Sequence, residues 1–105
     1  MKILVVGGGG REHAICWKLS NEKDVEKIYC APGNPGIAKV AECVNIGDSD
    51  IAELVKFAKE KEIDITVVGP EVPLVMGITD VFESQGLKVF GPVSYTHLTL
   101  PTILR

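Results

Sequence analysis

Four consecutive glycines, Gly7–Gly10, are the residues of this sequence best suited to hold an anion. They come directly after a short apolar run, Lys2–Val6, and directly before Arg11 and a polar helical pattern. Glycines allow the backbone to approach an anion closely, and the N–H groups at a helix start point towards it. A strand, a glycine turn and a helix in this order therefore predict a binding site for a phosphorylated small molecule.

The glycine turn matches neither of the two common nucleotide-binding motifs. In the dinucleotide motif G-x-G-x-x-G, Gly7 and Gly9 would be followed by a third glycine, but Glu12 occupies that place. The second predicted strand also ends without the acidic residue that binds ribose in such domains. A P-loop would need Gly-Lys-Ser/Thr, which the turn lacks. A tight structural turn would explain one or two glycines, but four beside Arg11 favour contact with a ligand.

Two further segments of turn-forming residues follow predicted strands. Ala31–Gly36 comes after the second apolar run, and Gly69–Glu71 comes after the third. Composition alone favours plain turns in both places, and a solvated surface carboxylate at Glu71. The carboxyl ends of parallel strands, however, share one edge of the sheet, where ligands bind. We therefore expect Asn34 and Glu71 to lie near the glycine turn, where a carboxylate can accept hydrogen bonds from sugar hydroxyls.

The elements that must position these loops alternate between apolar strands and helical patterns. Continuous apolar runs are typical of parallel strands that are buried on both faces. Their order predicts an α/β fold with a doubly wound parallel sheet of about four strands. The predicted strands are Lys2–Val6, Glu26–Cys30, Ile65–Val68 and Lys88–Phe90; the predicted helices are Arg11–Ser20, a short one at Ile37–Ala41, one around Ile51–Ala58 with a capping box of Asp50 and Glu53, and one from near Pro73 to Gly86.

Composition and charge exclude several classes of protein. A chain of 105 residues, 46% hydrophobic and 24% charged, is sufficient for one small globular domain. A net charge of −3 without a Lys/Arg cluster argues against a nucleic-acid partner. Three widely spaced cysteines predict unpaired thiols in a reducing compartment. We expect a soluble, cytoplasmic protein with no signal peptide, no membrane span, no metal ligands and no catalytic nucleophile.

The last residues depart from the pattern of the rest. From Val93 to Arg105 the sequence has neither a helical period nor a clear strand alternation. Val93–Leu98 is also the translation of GTC-TCT-TAT-ACA-CAT-CT(N), the core of a transposase adapter used in sequencing libraries. We therefore predict a domain of residues 1–92 and a non-native or unstructured tail of residues 93–105 that is translated adapter. A natural extended tail is the alternative.

Four motifs, in this order and at these intervals, resemble the N-terminal domain of phosphoribosylamine–glycine ligase, also called glycinamide ribonucleotide synthetase. They are Gly7–Ala14, Ala31–Asn34, Val68–Leu74 and Val89–Pro92, and the resemblance covers residues 1–92. It implies a pre-ATP-grasp domain of the biotin-carboxylase N-terminal type. It also implies a set of residues that bind 5-phosphoribosylamine: Gly8, Gly9, Gly10 and Arg11 near the ribose phosphate, Asn34 at the border of the same pocket, and Glu71 on the ribose hydroxyls.

The same resemblance implies an ATP-dependent ligation in purine synthesis. Full-length members use ATP and Mg²⁺ or Mn²⁺ to activate glycine as an acyl phosphate, which the amine of 5-phosphoribosylamine then attacks. The residues for ATP and metal belong to an ATP-grasp domain that is missing here, so we expect the chain alone to be inactive. Two alternatives stay open. One is an ATP-grasp relative acting on another purine intermediate or on biotin, and the other is a stand-alone nucleotide- or sugar-phosphate-binding module of Rossmann-like type.

Overall fold

The chain forms a parallel sheet with helices packed on both of its faces. The structure is a computed structural model, and it describes residues 1–69 and 75–90. Predicted features in residues 70–74 and 91–105, which include Pro73, Glu71 and the tail, lie outside the described residues. The elements are β1 (Lys2–Gly7), α1 (Gly10–Ser20), β2 (Lys27–Pro32), a short 3₁₀ helix (Ile37–Lys39), β3 (Glu42–Cys43), α2 (Ile51–Glu60), β4 (Ile65–Val68), α3 (Val75–Ser84) and β5 (Val89–Phe90).

The order of the strands across the sheet is β3-β2-β1-β4-β5, and every neighbouring pair is parallel. β1 therefore lies in the middle, with β2 on one side and β4 on the other. This confirms the predicted doubly wound α/β fold. The sheet has one strand more than the sequence pattern indicated, because β3 comprises only Glu42 and Cys43. Two residues are too few to produce a hydrophobic pattern, and their pairing with Tyr29 and Cys30 defines the strand instead.

The side chains of β1 alternate between two hydrophobic clusters, one on each face of the sheet. Ile3 and Val5 pack with residues of α1, whereas Leu4 and Val6 pack with residues of α2 and α3, and all four are fully buried. Successive residues of a strand point to opposite faces, which explains this division. The buried partners from the helices are Cys16 and Leu19 on the first face, and Leu54, Ala58, Ile78 and Phe82 on the second.

The helix boundaries follow the local signals in the sequence. At the start of α2, the Asp50 carboxylate accepts a hydrogen bond from the Glu53 N–H at 3.3 Å. In a complete capping box, the Glu53 side chain would accept a hydrogen bond from the Asp50 N–H. Here the Asp50 N–H donates to the Gly47 carbonyl instead. After α3, Gly86 adopts a φ of 75°, which is the left-handed conformation typical of a residue that ends a helix.

The carboxyl ends of the central strands meet at one edge of the sheet. Gly7 at the end of β1 is in register with Pro32 of β2, and Val6 is in register with Val68 of β4. The chain winds in opposite directions on the two sides of β1, so this edge contains the topological switch point at which doubly wound sheets bind ligands. The loops predicted to carry the site begin here. In the described ranges, no helix combines the length and the apolar character that a membrane span requires.

Candidate functional site

The glycine turn connects the end of β1 to the start of α1. Gly7 has a φ of 133°, which side chains of L-amino acids rarely tolerate, and Gly9 is extended and caps the helix. α1 begins at Gly10, which is exposed and has open space where a Cβ would stand. The first N–H groups of an α-helix have no intrahelical acceptor, and the helix dipole makes this end partially positive. The turn therefore presents backbone N–H groups suited to an anion.

The loop after β2 is fastened to the glycine turn by backbone contacts. The Gly33 N–H donates a hydrogen bond to the Gly7 carbonyl at 3.1 Å. A Cβ on Gly8 would stand 2.7 Å from the Gly33 carbonyl oxygen, so the two backbones are in close contact. The structure thus brings together two of the loops that the sequence placed at this edge.

Asn34 completes this connection with its side chain. Its amide Nδ2 donates to the Gly8 carbonyl at 2.6 Å, and its Oδ1 accepts from the Ile37 N–H at 2.9 Å. One side chain therefore ties the glycine turn to the start of the 3₁₀ helix. Asn34 lies beside the turn as expected, and both ends of its amide already have protein partners.

Replacing Asn34 with alanine should destabilise the domain by about 1–3 kcal/mol, because the Gly8 carbonyl and the Ile37 N–H both lose a half-buried partner. Denaturant unfolding followed by circular dichroism measures this change. Asn21→Ala is the matched control, since the Asn21 amide also donates to a carbonyl, that of Trp17, but at an exposed position. Its cost should stay within about 0.5 kcal/mol. Equal losses for the two variants would contradict the role given to Asn34.

Glu12 is the residue of this region whose role the sequence left undefined. It stands in the first turn of α1, is only 3% exposed, and accepts a hydrogen bond from the Gly9 N–H through Oε1 at 3.0 Å. The signal was available in the spacing, because an acidic residue three positions after a helix cap is typical of a capping box. The hydrophobic pattern gives no such indication, since it assigns a carboxylate to the surface.

Arg11 and His13 flank Glu12 and lie on different surfaces. Arg11 is exposed at the second position of α1, next to the glycine turn. The half-buried His13 ring packs against the loop after β2, with its Cε1 atom 3.0 Å from where a Cβ of Gly36 would stand. His13 therefore packs against the loop after β2, and Arg11 remains the cation predicted beside the turn.

Two cysteine thiols lie beneath the loops of the site. The Cys30 thiol donates to the Gly7 carbonyl at 3.3 Å, and the Cys43 thiol lies 3.5 Å from the Asn34 carbonyl. The pKa of Cys30 is strongly raised, first by its hydrogen bond with the Cys16 thiol and second by burial. A thiol whose pKa is raised remains protonated and keeps donating to Gly7. All three cysteines are unpaired, as predicted.

The raised pKa of Cys30 predicts a loss of stability in alkaline solution. Its ordinary value is 9.0, so above that pH the unfolded chain releases a proton that the folded chain retains. The stabilisation is complete below pH 9.0 and falls by up to about 1.4 kcal/mol per pH unit above it. Unfolding free energies of wild type and Cys30→Ala, measured across this range, should differ in slope. Parallel curves for the two proteins would contradict the prediction.

A separate depression of about 470 Å³ lies at the opposite edge of the sheet. It is lined by residues at the amino end of β2 and around the 3₁₀ helix, and the Lys27–Glu42 ion pair, 2.9 Å long, borders it. None of its lining residues belongs to the glycine turn or to the loop Ala31–Gly36. Within residues 1–69 and 75–90, no group of three His, Cys, Asp or Glu side chains is placed to hold a metal ion.

Fold and site together define a class of protein. A doubly wound parallel sheet with a glycine turn and a helix start at its switch point has the architecture of Rossmann-like α/β domains. The model of one family, described as phosphoribosylglycinamide synthetase, N domain, matches residues 1–96. The chain belongs to this family.

Curated relatives contain a similar sequence within a longer protein. The chain is 66% identical over 92 residues to a phosphoribosylamine–glycine ligase of Caldanaerobacter subterraneus, 59% identical to that of Brucella melitensis over 92 residues, and 52% identical to that of Haemophilus influenzae over 94 residues. Each match covers 88% of this chain and 22% of the relative. The chain therefore spans about a fifth of the length of the ligases that it matches.

Proposed function

We propose that the chain is the N-terminal part of an ATP-dependent ligase that joins glycine to 5-phosphoribosylamine in purine synthesis, and that it contributes part of the site for 5-phosphoribosylamine. The observation that supports this most strongly is the glycine turn at the switch point, held against Gly33 and Asn34 in a domain of the synthetase family. A turn that offers backbone N–H groups beside a cation suits the phosphate of a sugar monophosphate.

The individual residues act on different parts of the substrate. The N–H groups around Gly8 and Gly10, with the Arg11 guanidinium, bind the ribose phosphate, while Gly9 shapes the turn between them. Asn34 holds the pocket border. Glu71, which lies outside the described residues, accepts hydrogen bonds from the ribose hydroxyls. The amine of the substrate then faces away from the sheet, where a partner domain delivers activated glycine.

ATP and the metal ion belong to the rest of the ligase. The described residues provide no cluster of ligands for Mg²⁺ or Mn²⁺. The matched ligases extend far beyond the part shared with this chain, which leaves room for an ATP-grasp domain. Trp17, 60% exposed on α1, offers such a domain an apolar contact. Unpaired cysteines further support a reducing, cytoplasmic location.

Titration of the ¹⁵N-labelled chain with ribose 5-phosphate, a stable substitute for the labile amine, tests the binding role. We expect weak, millimolar binding, with shifts concentrated at the amides of Gly8, Gly10 and Arg11, and no glycinamide ribonucleotide from the chain with ATP and glycine. Shifts confined to the opposite edge of the sheet would contradict the proposed site. Micromolar binding of a nucleotide would instead support a stand-alone module, and ligation by the chain alone would contradict the need for further domains.

A further inference from the structure

The Glu12 carboxylate occupies an unusual position beneath the glycine turn. Only 3% of the residue is exposed to solvent. Its Oε1 atom accepts a hydrogen bond from the Gly9 N–H. Oε2 is buried without a hydrogen-bond partner among the residues that the structure describes. Burying a carboxylate oxygen without a hydrogen-bond partner costs free energy, and such a group in a folded domain requires an explanation.

Three glycines surround this carboxylate. Cβ atoms added at Gly7 and Gly9 would stand 2.5 and 3.4 Å from Oε1, and one added at Gly69 would stand 2.6 Å from Oε2. Gly7 is the last residue of β1, and Gly69 directly follows β4; these are the two strands on either side of the switch point. The carboxylate therefore lies between the end of β1, the start of α1 and the end of β4, and contacts all three.

The hydrogen bond to Glu12 also determines which amides the turn can offer to a ligand. The Gly9 N–H points inward to Oε1, whereas α1 begins at the next residue with Gly10 exposed to solvent. A turn of four glycines would otherwise have wide conformational freedom, because glycine restricts the backbone least. One inward bond at its third glycine reduces this freedom and fixes the direction of the amides on either side.

We propose that Glu12 is a positioning residue of the phosphate-binding turn. It acts on the substrate through the backbone: the carboxylate holds the Gly9 N–H inward, and this orients the neighbouring amides outward for the ribose phosphate. The role in substrate binding rests on the proposed function, whereas the effect of Glu12 on the turn is a property of the chain itself. The carboxylate does not touch the ligand.

The effect on the turn is measured first, on the complete 105-residue chain without ligand. Hydrogen exchange of the Gly9 amide, followed by NMR, should be slow in wild type and in Glu12→Gln, which keeps an acceptor of the same length. In Glu12→Ala it should be at least roughly tenfold faster, as expected when a hydrogen bond is lost. Glu53→Ala is the matched control, because Glu53 is also an acidic residue in a first turn but is exposed on α2. Unchanged exchange of Gly9 in Glu12→Ala would overturn the proposal.

The effect on the substrate is measured in a full-length ligase. The matched segment of this chain replaces the corresponding 92 residues of the Caldanaerobacter enzyme, with which it is 66% identical. Glu12→Ala should raise the KM for 5-phosphoribosylamine roughly tenfold, leave the KM values for glycine and ATP within about twofold, and be rescued by Glu12→Gln. A loss of kcat alone, or an equal change for all three substrates, would indicate a merely structural role and overturn the proposal.

The two measurements fail in distinguishable ways. If the wild-type hybrid folds and binds ATP and glycine but makes no product, the proposed function is contradicted, and the exchange of the Gly9 amide still decides whether Glu12 positions the turn. If the hybrid is active and Glu12→Ala changes neither the exchange nor the KM for 5-phosphoribosylamine, the proposed function stands and the role of Glu12 is refuted.

Discussion

Gly7→Ala should be the most destabilising single-methyl substitution in the glycine turn, with a loss of about 3 kcal/mol or more. Two costs add at this position. The φ of 133° places an alanine in a strained backbone conformation, which costs about 1–3 kcal/mol. The new Cβ would also stand 2.5 Å from Oε1 and 2.7 Å from Cδ of the buried Glu12, and such overpacking costs about 1–3 kcal/mol. Denaturant unfolding measures the sum.

Gly10→Ala provides the matched control within the same turn. Gly10 is the first residue of α1, and no heavy atom lies within 4 Å of the place where its Cβ would stand. Alanine there should leave stability unchanged or raise it by up to about 1 kcal/mol, because it lowers the entropy of the unfolded chain. If Gly7→Ala folds and is as stable as Gly10→Ala, the description of the turn is wrong. A failure of Gly7→Ala alone to fold would agree with it.

Gly69→Ala should cost about 1–3 kcal/mol, and nearly all of this loss should depend on Glu12. Gly69 does not have a positive φ, so an alanine there meets no backbone strain of that kind. Its Cβ would stand 2.6 Å from Oε2 of Glu12 and 2.7 Å from Cδ. Glu12 can move aside only by giving up its bond to the Gly9 N–H and its buried position. The expected loss corresponds to that displacement.

A double-mutant cycle separates the contact with Glu12 from the strain of the backbone. In a Glu12→Ala background, Gly69→Ala should cost less than about 0.5 kcal/mol, because the carboxylate that it meets has been removed. Gly7→Ala should still cost about 1–3 kcal/mol in that background, since its φ is unchanged. Additive losses for Gly69→Ala and Glu12→Ala would show that the two sites do not interact, contrary to the contact in the structure.

Local sequence signals were sufficient to predict the elements that position the site. The apolar run before Gly7 and the polar pattern after it locate β1 and α1, because a buried parallel strand and an amphipathic helix have different periods. Asp50 and Gly86 locate helix ends through capping and positive φ. The convergence of the loops at one edge followed from the parallel order of the strands alone.

The contacts that shape the site could not be predicted in the same way. The bond from Asn34 to the Gly8 carbonyl joins residues 26 positions apart, and no local propensity encodes it. Burial of Glu12 contradicts the usual preference of a carboxylate for water and depends on glycines at both Gly7 and Gly69. β3 exists through its pairing with β2 and not through a pattern of its own. These features arise from tertiary packing.

The family was indicated by the combination of motifs, not by any one of them. The glycine turn alone fits several kinds of phosphate-binding domain. The later motifs at their intervals made the resemblance specific, and the match to the synthetase N domain over residues 1–96 confirms it. The roles of Arg11 and Glu71 stay predictions, because a fold places residues near a site without showing what they bind.

The most direct test of the central claim is the ligase activity of the hybrid enzyme in which this chain's matched segment replaces that of the Caldanaerobacter protein. We predict ATP-dependent formation of glycinamide ribonucleotide with a KM for 5-phosphoribosylamine close to that of the parent enzyme, and no product from the chain alone. A hybrid that folds and still binds ATP and glycine, but makes no product at any concentration of 5-phosphoribosylamine, would contradict the claim that this domain supplies part of the 5-phosphoribosylamine site.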